Sequence, residues 1–242
     1  MGAMGIVVPA RALVWNIQAG LVCAFAKRFE YSRRCLTFPL ETFPIKGLMQ
    51  MDDAVVRAMA RWPNVPDVYG WLSLDKRGQW RLKGGTIGNE SLREFISRNY
   101  LRMPGGSYVF QNGPQRVYVA LQYTPWVLSI NGTGVLRLHT GAGTTLTGSA
   151  WMDEHGALLL ATDVGIALVD DRDLEQLSAE MIAPDGKRMS DDQQIDALEL
   201  LLGAEHRKLK LRWHGQSIDV DFVASGEVSA RFEFNPEPRP VS

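Results

Sequence analysis

From Met51 to its end the chain contains no cysteine; Cys23 and Cys35 both precede that point. A disulfide framework, a thiolate zinc site and a thiol nucleophile are therefore excluded from this stretch, a composition that fits a reducing, cytoplasmic compartment. Histidine is scarce too. His139, His155, His206 and His214 include no pair at metal-ligand spacing, and there is no His-Glu-x-x-His sequence, so no metal site is expected. The Gly-x-Ser-x-Gly elbow of serine hydrolases is absent. No cofactor fingerprint stands in their place, and no cofactor or catalytic residue is assigned.

Charge of one sign is also lacking, since the net charge is only −1. That value conceals a division. Residues 1–50 hold six Lys/Arg and two Asp/Glu, a net of +4, which leaves twenty Lys/Arg and twenty-five Asp/Glu, a net of −5, in residues 51–242. An acidic body argues against a general nucleic-acid binder, which needs cations to displace counterions from phosphate. Long apolar runs are missing as well. Ala12 to Ala26 is broken by Asn16 and Gln18 and is too short to span a bilayer, so no transmembrane segment is expected. It also lacks the clean apolar stretch and cleavage site of a signal peptide.

What is present is a regular alternation that begins near Met51. The first fifty residues read as an extension outside the domain, with Met51 as the expected start; the alternative is a peripheral membrane anchor. The chain has the 45% apolar share of an ordinary globular protein and is long enough for a proper core. Its first helix follows Asp52 and Asp53 and ends at Pro63. Tyr69 to Leu74 and Gln79 to Lys83 form a hairpin around Asp75-Lys-Arg-Gly78. A second helix, capped by Asn89 or Ser91, carries the stripe Leu92, Phe95, Ile96 and Tyr100. Strands then follow at 107–111, 115–121, 124–130, 135–140, 150–152, 157–162 and 166–169, with Asn112-Gly113 and Asn131-Gly132 as tight turns.

Two further helices are expected. Leu174, Leu177, Met181 and Ile182 mark one, and Ser190 with Gln193 opens the other as a capping box that Gly203 ends. Runs 208–214, 217–223 and 228–234 alternate strictly and read as a three-stranded meander, ahead of a disordered proline-rich tail from Pro236. The fold class is α+β and β-rich: antiparallel hairpins and a meander forming roll-like or barrel-like sheets, with three to four short helices. A roll-like subdomain over 51–130 and a mostly-β subdomain over 131–242 follow the extension at 1–50.

Two places invite a ligand. Arg116, Tyr118, Tyr123 and Trp126 lie close in sequence on hairpin strands, and aromatic residues beside an arginine can line a small-molecule or protein pocket. The competing reading is core packing with the arginine over a ring. Gly85, Gly88 and Asn89 run from strand into helix, where free amides can hold an anion; a plain connection is the competing reading, because the lysine of a phosphate loop is missing. Gly141 to Gly148 lies between strands and lacks any helix to serve an anion. Asp219 and Asp221 share a strand face with Lys208, Lys210 or Arg212 opposite, the pattern of a solvated ion ladder.

The run Gly70-Trp-Leu-Ser-Leu-Asp-Lys-Arg-Gly-Gln-Trp-Arg-Leu, with Thr86-Ile-Gly88, Gly106-Ser-Tyr-Val-Phe, Gln111-Asn-Gly-Pro-Gln-Arg-Val-Tyr-Val and Tyr123-Thr-Pro-Trp-Val, resembles uncharacterised proteobacterial proteins grouped as domains of unknown function. The resemblance covers roughly residues 51–173. It implies an α/β roll followed by a mostly-β roll and a bacterial origin, and it carries no activity. Function is thus unknown from sequence. The leading reading is a non-enzymatic module that binds a small molecule or a protein. An enzyme with a dispersed site, or a peripheral membrane protein acting through residues 1–50, are the alternatives, and homo-oligomerisation is open to all three.

Overall fold

The structure, a computed structural model, describes residues 51–62, 65–131, 134–203 and 209–240. The extension at 1–50, Pro63, Gly132 and Lys208 lie outside them. Helix α1 (Asp53–Arg61) leads into β1 (Val68–Leu74), β2 (Trp80–Leu82) and β3 (Gly85–Thr86). Helix α2 (Glu90–Arg98) precedes β4 (Tyr100–Arg102), β5 (Tyr108–Asn112) and β6 (Gln115–Leu121). These six strands make one sheet in the order β3-β2-β1-β6-β5-β4, antiparallel except for the central β1–β6 pair.

The second sheet takes β7 (Trp126–Ile130), β8 (Leu136–Leu138), β9 (Leu146–Met152), β10 (Leu158–Thr162), β11 (Gly165–Val169), β12 (Met181–Ile182), β13 (Leu209–Trp213) and β14 (Gln216–Phe222). Its order is β12-β13-β14-β9-β10-β11-β7-β8, with β14–β9 and β11–β7 parallel; one of the two sheets curls into half a barrel. Leu158, Leu159 and Leu160 are all fully buried, so β10 is covered on both faces, as an unbroken apolar run requires. Helices α3 (Leu174–Ser178) and α4 (Asp191–Leu202) bury Leu177 and Leu201. The chain is an α+β, β-rich protein with two mixed sheets.

One loop recurs. At 75–79, 103–107, 131–135, 138–142, 153–157 and 183–187 the first residue's N–H donates to the fifth residue's carbonyl and the fourth residue's N–H to the first residue's carbonyl. The fourth residue is always a glycine with φ between 73° and 85°. The loops at 75–79, 138–142, 153–157 and 183–187 have no positive φ at the third residue and are type I turns closed by a left-handed glycine bulge, whereas at 103–107 Gly105 also has positive φ (83°), as a type II turn requires. In the loops at 75–79 and 153–157, Asp75 and Asp153 each add a side-chain clasp. Their Oδ1 atoms accept from Arg77 N and Gln79 N, and from His155 N and Ala157 N.

Several expectations are overturned. The turn after β5 is Gly113-Pro114, because Asn112 pairs with Gln115. Gly113 alone has positive φ (59°), and proline supplies the negative φ that follows. Tyr100 begins β4 instead of ending α2, which stops at Arg98 with Asn99 Nδ2 donating to Phe95 O. Met181 and Ile182 form β12 against β13, so the helix there is only five residues long.

The expected third meander strand is helical: a 3-10 turn (Ser225–Glu227) and α5 (Val228–Arg231), a fifth helix. The edge of β14 that such a strand would need is taken by β9. Val228 and Phe232 stand four residues apart, a spacing that suits a helix as well as a strand. Ser225 N and Oγ donate to Glu154 at 2.8 and 2.6 Å and start the turn. The tail is ordered through Pro240 and straps the first sheet. Leu121 N donates to Pro236 O, Asn235 N to Gly106 O, and Arg102 Nη2 to Glu233 O.

Candidate binding face

The parallel β1–β6 pair slips between Val68↔Val117 and Leu72↔Val119. Three residues of β1 (Tyr69, Gly70 and Trp71) therefore stand against Tyr118 alone. Gly70 has φ +72° with nothing within 4 Å of where a Cβ would sit, so backbone conformation and not crowding selects glycine there. Bulges are rare in parallel pairs and re-aim side chains next to functional sites. Tyr69 and Tyr118 stack with ring centroids 4.3 Å apart and planes 12° apart. Lys83 sits in the left-handed region (φ 49°) of the Lys83-Gly84 turn, which puts its Nζ over the Trp71 ring at 3.7 Å.

Strand alternation places Ser73 and Ala120, which are register partners, on the same face as Trp71 and Tyr118. The result is a floor of small residues with aromatic walls and Lys83 and Arg116 at its margin. Burial, with the Tyr118 hydroxyl bonded to it, pushes the Tyr69 phenol above its usual range. Burial also raises the Asp67 carboxyl against the pull of the neighbouring Arg116. Arg81 on this side is committed to Asp75 and to Gly84 O. Helix α1 lies against the β5–β6 hairpin: Ala58 Cβ is 3.6 Å from where a Cβ on Gly113 would be. Val55 on that helix and Val109 on β5 are buried outside the main core cluster.

The four residues singled out for a pocket fall in three surroundings. Arg116 and Tyr118 share the face just described. Tyr123 donates its hydroxyl to Asp153 Oδ2 at 2.6 Å, with Lys76 Nζ 4.8 Å above its ring; burial and that bond hold its phenol protonated. Trp126 is buried in an aromatic core with Tyr100, Tyr108 and His139. Sequence reasoning passed over Tyr69, Trp71 and Lys83, although an isolated glycine inside a strand pattern, Gly70, is a bulge signal.

In the other place, Asn89 caps α2 by accepting from Leu92 N, and Arg93 Nη1 reaches Ile87 O and Gly88 O. Gly85 lies in the edge strand β3 and Gly88 in the connection to the helix. One amide of that helix end is thus already satisfied from within the chain. Asp219 pairs in register with Lys210, Nζ to Oδ1 3.8 Å, a solvated pair. Among the described residues no three His, Cys, Asp or Glu side chains group as metal ligands, and no helix is long and apolar enough to cross a membrane.

A β-rich α+β module of two mixed sheets, with an aromatic and cationic face at a parallel-strand bulge, is the class that this geometry defines. The chain belongs to the DUF2944 family, described as "Protein of unknown function (DUF2946)", whose model matches residues 51–239. The family match runs well past the stretch over which the resemblance was drawn. The chain is also similar to the crystal structure of a DUF1285 family protein from Silicibacter pomeroyi DSS-3, at 14% identity, covering 69% of this chain and 87% of that one with a TM-score of 0.42. No curated protein matches.

Proposed function

We propose that this protein is a bacterial, cytoplasmic, non-enzymatic binding module that docks a partner protein on the face built by β2, β1 and β6. The carrying observation is the bulge at Gly70, which sets Tyr69 and Trp71 together against Tyr118 with Arg116 and Lys83 beside them. Aromatic and arginine side chains are the ones that dominate interface energies. A shallow face of this kind suits a protein surface; a small molecule needs a concavity that covers most of it.

The test is quantitative co-purification from the native host with the full chain. Three baits are compared: wild type, Tyr118→Ala, and Ser149→Arg on the polar face of β9. Loss of the same captured proteins with Tyr118→Ala but not with Ser149→Arg is the expected result. Equal capture by all three baits overturns the assignment.

A further inference from the structure

The docking face has a sign. Lys83 and Arg116 bracket the aromatic group, Asp67 is the carboxylate beside Arg116, and Arg81 is neutralised by Asp75. Asp67 offsets part of the Arg116 charge, and the positive charge left at this margin, that of Lys83 first, sits on a body whose net charge over 51–242 is −5. A local field opposite to that of the whole protein selects for acidic partners. A second copy docking by the same patch would set Lys83 and Arg116 against their own kind, which disfavours self-association there.

The face also has a shape preference. β2, β1 and β6 each have a strand on both sides, so their ladder groups are already paired and an incoming strand finds no edge. What the face offers is side chains. Three strands at about 4.8 Å spacing make a strip roughly 14 Å across, and a helix with its side chains is about 10–12 Å wide. Helices cover sheet faces in layered folds for the same reason.

From these observations, and resting on the docking reading above, we infer that the partner element is an acidic amphipathic helix. Its apolar stripe lies over Ser73 and Ala120 between Trp71 and Tyr118, and its carboxylates meet Lys83 and Arg116. Lys83 and the charged end of Arg116 then act on approach and register, while the aromatic side chains hold the complex.

The probe is a synthetic peptide of Glu, Ala and Leu with leucines at i, i+3, i+4 and i+7, together with its counterpart carrying Lys in place of Glu. Each is fluorescein-labelled and titrated with the full chain while anisotropy is followed. The Glu peptide should bind saturably and weaken with added salt. The double reversal Lys83→Glu/Arg116→Glu should weaken it by about tenfold or more and let the Lys peptide bind in its place. Single Lys83→Ala and Arg116→Ala variants, with circular dichroism matching wild type, guard against misfolding and should each lose part of the affinity.

Absence of saturable Glu-peptide binding, equal binding of both peptides to wild type, or indifference to charge reversal would each overturn the inference. Those results leave the docking reading standing if Tyr118→Ala still loses the captured partner. Loss of both removes the docking reading as well.

Discussion

Replacing His139 by glutamine is expected to flatten the acid limb of the stability curve. The imidazole packs between Trp80, Tyr100 and Trp126, at ring centroid distances of 5.2, 5.7 and 5.7 Å, with its Nε2 shut off from solvent. Its Nδ1 accepts from Val127 N at 3.3 Å, so Nε2 carries the proton, and Nε2 has no hydrogen-bond partner. No carboxylate stands against the ring to compensate a charge, and burial pushes the group down to about 3. A buried neutral histidine gives up its proton readily in the native state and keeps it in the unfolded chain. Its contribution is therefore complete above the unfolded value of about 6.5 and is lost as pH falls toward 3.

The slope approaches about 1.4 kcal/mol per pH unit below the unfolded value and integrates to about 2.3 kcal/mol between pH 6.5 and pH 4.5. Urea unfolding of wild type and His139→Gln at those two pH values isolates this group. Carboxylates such as Glu154, which the Ser225 hydroxyl and amides hold at about 2, titrate in both proteins and cancel in the difference. The variant should be weaker at pH 6.5, for loss of ring packing, yet lose about 2.3 kcal/mol less on acidification. Parallel losses in the two proteins would show that His139 accepts a proton in the folded state.

The second large effect lies where the C-terminal strap meets the first sheet. Gly105 and Gly106 are neighbours with nearly equal φ, +83° and +82°. A Cβ on Gly105 meets nothing within 4 Å, whereas one on Gly106 would stand 2.5 Å from Glu233 O and 2.9 Å from Phe234 Cα. Gly105→Ala should therefore cost only the left-handed backbone penalty, about 1–2 kcal/mol. Gly106→Ala must in addition displace backbone, and with it the Asn235 N to Gly106 O and Leu121 N to Pro236 O bonds. A cost of about 3–5 kcal/mol is expected, with faster hydrogen exchange at Leu121 and Asn235. Equal costs for the two alanines would mean that the strap yields without resistance.

Local chemistry was legible in the sequence wherever one residue type has one use. Ser190 and Gln193 form the capping box of α4, and Asn89 caps α2. The turn at Asp75–Gly78 and the strands around it stand where alternation placed them. What was not legible is pairing over distance. Val228 to Phe234 alternates like a strand, but only the parallel seating of β9 on β14 decides that no edge is left for it. The tail's prolines read as disorder because its anchors, Gly106 and Leu121, lie more than a hundred residues earlier in the chain. The same holds for the binding face. Arg116 and Tyr118 were visible as an aromatic–cationic pair, while Tyr69, Trp71 and Lys83 join them only through the β1–β6 register and its slip at Gly70.

Hydrogen–deuterium exchange of the full chain, alone and with the protein it captures from its host, tests the central claim most directly. The account predicts slowed exchange in 68–73, 81–84 and 116–120, and no change in β13 and β14. Protection confined to β13 and β14, or to α4, would contradict it and move the docking surface to the second sheet.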